Sequence, residues 1–157
     1  MATLSATLLD SFVGKSVEDL CPLGFGKVSD DHNHCAHFVG HVLGYQFGAT
    51  CHMMGTPKGP AATLRVQDLF SRCRSVGVWS LRPASVKTCL VFITRAANVN
   101  LSAKVMANVP RKHVGILSDG FVWHYSNSQQ KVVRQTPSQF ALHYPAPDNA
   151  MFFGTLP

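Results

Sequence analysis

The chain is short of acidic side chains: eight Asp and Glu stand against fourteen Lys and Arg, a formal charge of +6 before its eight histidines are counted. That balance favours an anionic partner or surface, whether nucleic acid, acidic lipid or a cell-wall polymer. The bases are scattered from Lys15 to Arg134 and form no dense run, which argues against a nucleic-acid stripe. No apolar run approaches the ~18 residues of a membrane span. Residues 1–20 lack the basic start and long apolar core of an ordinary secretory signal, so the expected location is the cytoplasm or the outside by a signal-free route. The five cysteines (Cys21, Cys35, Cys51, Cys73, Cys89) are odd in number and read as reduced thiols rather than a disulfide framework. Repeats and low-complexity tracts are missing too. With 46% hydrophobic and only 14% charged residues, the 157-residue chain is expected to fold as one globular domain over 1–157.

What is present is a helix-then-strand order. Leu4, Leu8, Leu9 and Phe12 predict a short helix within 3–12, ended by Gly14. The Pro, Gly and polar residues of 21–34 predict a loop. From Cys35 to about Gln46, Phe38, Val39, Val42 and Leu43 follow Cys35 at helical offsets, so Cys35 opens an amphipathic helix and faces inward, with Asn33 as candidate N-cap. Residues 48–62 read as a surface loop and 64–73 as a second helix, buried through Val66, Leu69, Phe70 and Cys73. The apolar run 88–94 predicts a strand covered on both faces. Residues 96–110 read as an irregular excursion. Strands are expected at 112–117, 121–126, 131–135 and 150–156, with a turn of helix near 138–142. The fold class is therefore α+β, with a sheet of about five to six antiparallel strands.

The hairpin at 112–126 decides the chemistry. If Asp119 and Gly120 form a two-residue loop, Ser118 pairs with Phe121, and His113, Gly115, Leu117, Val122, His124 and Ser126 share one face. The two histidines are then diagonal neighbours with room beside Gly115. A one-residue slip would separate them, and a three-residue loop bulged at Gly120 is the rival register. In the favourable register Cys35 docks against His113. The helix start stabilises a thiolate, His113 takes the thiol proton, and His124 fixes the His113 tautomer.

Other residues receive blander readings. His34, His37 and His41 share one side of the Cys35 helix with His32 just ahead; their spacing matches no familiar zinc pattern, so they read as a polar solvent face and no metal or cofactor is expected. Trp123 and Tyr125 alternate with His124 and are expected to pack beneath the sheet. His52 and His143 are assigned no role.

The segments HCAHFVGHVLG around Cys35, CLVFIT, KHVGILSDGFVWHYS and the closing FFGTL resemble the NlpC-type cell-wall cysteine peptidases. The resemblance spans about 35–156, leaving 1–34 as an N-terminal helix and loop. It implies a papain-like fold, a nucleophile helix packed on an antiparallel sheet, and a catalytic set that maps onto Cys35, His113 and His124. It further implies hydrolysis of an amide bond in peptidoglycan stem peptides. NHCAHFV is also similar to the lecithin:retinol acyltransferase-like proteins, which would make the chain an acyltransferase or thioesterase, although those place their histidines before the cysteine. From another class, the rival is a catalytically silent binding module on the same fold.

Overall fold

The computed structural model describes residues 4–21, 34–44 and 65–157. The Asn33 cap, His32, the loop expected at 48–62 and most of that at 21–34 lie outside them. Within the described residues a six-stranded sheet carries helices on its faces. The helices are α1 (Ala6–Asp10), α2 (Val17–Leu20), α3 (Cys35–Leu43), α4 (Val66–Arg72) and α5 (Pro137–Phe140). The strands are β1 (Val76–Val78), β2 (Cys89–Thr94), β3 (Val99–Asn100), β4 (Val105–Met106), β5 (Lys112–Ser118), β6 (Phe121–Ser126), β7 (Lys131–Gln135) and β8 (Ala150–Gly154). The main sheet runs β1-β8-β2-β5-β6-β7, antiparallel at every junction, and β3 pairs with β4 apart from it. The segment 96–110, expected to be irregular, thus holds a small two-stranded ribbon.

Two elements escape periodicity because they are too short to show any. α2 is held by a capping box: Ser16 Oγ accepts from the Asp19 N–H while Asp19 Oδ2 accepts from the Ser16 N–H at 3.1 Å. Its Val17 N–H donates to the Tyr125 hydroxyl oxygen at 3.3 Å, which fastens α2 beneath the sheet. β1 spans three residues and exists because β8 pairs it, Gly77 opposite Phe153.

Period-two alternation divides the sheet into two packed faces. Leu90, Phe92, Val114, Ile116, Trp123 and Tyr125 meet α3, α4 and the α1–α2 segment. Cys89, Val91, Ile93, Leu117 and Val122 meet Phe140 of α5 and Phe153. β2 is buried along its whole length, as its unbroken apolar run predicts. Trp123 packs on the first face as expected, its indole N–H donating to Asp10 Oδ1 at 3.1 Å, so the buried ring keeps a polar partner.

Close packing of β8 over α4 depends on Gly154. A Cβ there would run into Cys73 Sγ and stand 3.0 Å from Phe92 Cε2. Gly154→Ala is accordingly expected to destabilise the fold by about 1–3 kcal/mol through overpacking. An unchanged urea midpoint would contradict this.

Candidate functional site

The turn between β5 and β6 settles the register. Asp119 and Gly120 take φ of 47° and 83°, the left-handed conformation that a two-residue type I′ loop demands. Ser118 pairs with Phe121, Leu117 with Val122 and Ile116 with Trp123. His113 and His124 therefore share a face. The His113 Nε2 to His124 Nδ1 distance is 2.8 Å, the rings meeting edge-on with planes at 88°. Gly115 makes this approach possible, since a Cβ there would stand 2.7 Å from Val122 Cγ1 and 3.1 Å from His124 Cβ.

A third group, missed in the sequence, completes the line. Val122 pairs with Gln135 and His124 with Val133, so Gln135 on β7 is the diagonal neighbour of His124 on the same face. Gln135 Oε1 faces His124 Nε2 at 2.6 Å. An amide oxygen only accepts, so His124 carries its proton on Nε2 and presents a lone pair at Nδ1. His113 then donates from Nε2, which leaves its Nδ1 as a lone pair. That atom is buried and has no hydrogen-bond partner among the described residues. Counting alternation across the 127–130 turn into the strand expected at 131–135 would have found Gln135.

Cys35 opens α3 and is fully buried, as its place at the head of the apolar stripe predicts. α3 packs on β5 and β6 from the face opposite the imidazoles. The sulfur meets β5 at the strand itself, where the N–H of Val114, the residue after His113, points at it. Among the described residues no hydrogen bond reaches His113 Nδ1, and the expected docking of Cys35 against His113 is not found, because α3 packs on the Val114 and Ile116 face of β5 while His113 points to the Phe140 face. Nor is the thiol acid. Burial pushes it up to about 12, outweighing the N–H groups of Val114, Ala36 and Cys35 and the charge of Lys112. Burial also holds His113 well below the ordinary imidazole value, helped by His124 and His143, and brings His124 down to about 4 against the pull of Gln135. Nucleophile and base are both neutral at rest.

The loop after α5 flanks this centre. The Tyr144 hydroxyl donates to the Lys112 carbonyl at 3.3 Å, and burial, with a smaller push from negative charge on Cys35, raises its pKa to about 12. Asp148 anchors the loop through Arg95 at 2.8 Å and Arg111 at 2.7 Å. His143, assigned nothing in the sequence, is exposed and stacks on His113 at 3.8 Å with planes 11° apart. Donor atoms of His113, His124 and His143 lie within 4.8 Å of one another. Imidazole lone pairs lie in the ring plane, however, and two parallel stacked rings cannot aim theirs at one ion.

The expected solvent face of α3 is overturned. His34 and His37 are 6% and 3% exposed and His41 is half-buried, because the helix is covered on nearly all sides. The three rings form a chain, His34 Nδ1 to His37 Nδ1 at 3.3 Å and His37 Nε2 to His41 Nε2 at 2.9 Å. Set against protein-family models, curated proteins and solved structures, the chain yields no significant match.

Proposed function

We propose that the chain is a cysteine peptidase or amidase of papain-like architecture in which Cys35 is the nucleophile, His113 the general base and His124 the residue that orients it. One observation carries the reading. The Gln135–His124–His113 line fixes both tautomers and ends in a lone pair at His113 Nδ1 that has no partner among the described residues, one residue along β5 from the N–H that meets the Cys35 sulfur. A structural histidine pair has no need of a base left over.

The chemistry follows from the neutral resting pair. Sγ and the His113 ring lie on opposite faces of the sheet at rest, so the first step requires the Cys35 end of α3 to shift past β5. As Sγ then attacks an amide carbonyl, its proton passes to His113 Nδ1, and the donors at the α3 start stabilise the oxyanion that forms. The imidazolium, held by His124, returns that proton to the departing amine, and a thioester remains on Cys35. Water then attacks the thioester with His113 again as base. Both Sγ and His113 are fully buried, so substrate entry has to uncover them. The cell-wall resemblance makes peptidoglycan stem peptides the substrate to try first, and the +6 charge suits that anionic polymer.

A second reading, the catalytically silent module, is favoured by the thiol pushed up to about 12. The discriminating experiment incubates the full chain with stem peptides, quenches in acid and weighs the Cys35 peptide. New amines together with an acyl adduct on Cys35 support hydrolysis. An adduct that forms only with lipid acyl donors and moves to an acceptor supports the acyltransferase reading. Neither adduct nor product leaves the silent module.

A further inference from the structure

We propose that Cys21, His37 and His41 form a site for one zinc ion that staples the end of α2 to α3. It is independent of the hydrolytic reading. Donor atoms of these three residues lie within 4.8 Å of one another. They come from two elements that pack together: Cys21 follows α2, and His37 and His41 stand one turn apart on α3. One sulfur and two imidazole nitrogens are the mixed donor set that suits zinc, with a fourth position left for water or another ligand.

The geometry is close to that of a loaded site. Tetrahedral zinc with bonds of about 2.0–2.1 Å holds two nitrogens about 3.3 Å apart. His37 Nε2 and His41 Nε2 are 2.9 Å apart, so a few tenths of an ångström of opening admits the ion. Their rings tilt at 45° rather than stack, which lets both lone pairs aim at one point, unlike those of His113 and His143. The remaining nitrogen of His37 already has an orienting partner, since its Nδ1 faces His34 Nδ1 at 3.3 Å. Ligating histidines are ordinarily fixed in this way through their second nitrogen. Cys21 is fully buried and His37 nearly so, while half-buried His41 leaves one side of the site open for the fourth ligand.

The test uses the full chain, stripped with chelator and reloaded with zinc or cobalt(II). One equivalent of zinc should survive gel filtration, and Tm should rise by roughly 10 °C with free zinc about a thousandfold above Kd. The cobalt form should show a thiolate-to-metal charge-transfer band. Cys21→Ser should abolish that band, and His41→Gln, at the half-buried position, should lose the bound metal while far-UV circular dichroism reports a folded chain. Cys35→Ala and His113→Ala should retain both metal and band, which separates this site from the thiol–imidazole centre. Failure of the wild-type chain to retain zinc, or retention unchanged in both Cys21→Ser and His41→Gln, overturns the proposal.

Discussion

Lowering the pH from 6.5 to 4.5 is expected to destabilise the folded protein strongly, by about 2 kcal/mol through His124 alone with His113 and His37 adding in the same direction. His113 and His124 are both buried, with pKa values depressed well below 6.5 and to about 4. In the unfolded chain each takes a proton near pH 6.5; in the folded chain neither does until much lower. The unfolded state therefore binds more protons across this window. The histidines' contribution is complete above about 6.5 and is lost as pH falls towards 4, at about 1.4 kcal/mol per group per pH unit. At high pH the same desolvation acts on thiols: Cys35 and Cys73 are pushed up to about 12, so stability falls again once unfolded thiols ionise above about 9. Urea denaturation at pH 7.0, 5.5 and 4.5, with chelator present throughout, checks the acid limb. Equal free energies of unfolding at the three values would mean the rings are solvated.

The parts of this fold that could be read from sequence are those set by neighbours along the chain. Asp119-Gly120 has one favoured loop geometry, and that loop fixes the register placing His113 beside His124. The stripe from Cys35 to Leu43 predicts a helix whose first residue faces the core. What escaped depends on contacts between distant segments. The polar side of α3 looks like a solvent face because periodicity records polarity, whereas its burial comes from elements elsewhere in the chain. Cys21 lies sixteen residues before His37, and only the docking of α2 on α3 brings the two together. His143 reaches His113 because Asp148 ties its loop to Arg95, just after β2, and Arg111, just before β5. Gln135 is the instructive exception, since strand alternation was available to place it and only the turn at 127–130 had to be counted through.

That glutamine also gives the sharpest mutational test of the proposed chemistry. Cys35→Ala should abolish hydrolysis, and His113→Ala should lower kcat/KM by about 10⁴-fold, the span of a lost general base. Gln135→Met removes the acceptor that holds the His124 proton on Nε2. His124 can then protonate Nδ1 instead, which reverses the bond to His113 and puts a proton on the Nδ1 that must receive one from sulfur. A wrong tautomer of this kind costs about 10²- to 10⁴-fold where nothing else changes. Gln135→Glu keeps an oxygen acceptor at the same place, so the tautomer survives and the rate should fall by no more than about tenfold. Its carboxylate also favours the charged imidazole, which raises the His124 pKa from about 4 and moves the acid limb of the rate profile to higher pH. Nitrogen-15 spectra of the rings report the tautomers directly: His113 should show an unprotonated Nδ1 in the wild-type and Gln135→Glu proteins and a protonated one in Gln135→Met. Equal losses of rate in the Met and Glu variants, with unchanged ring spectra, would show that Gln135 only packs against His124 and that the lone pair on His113 is not set by the line of hydrogen bonds behind it.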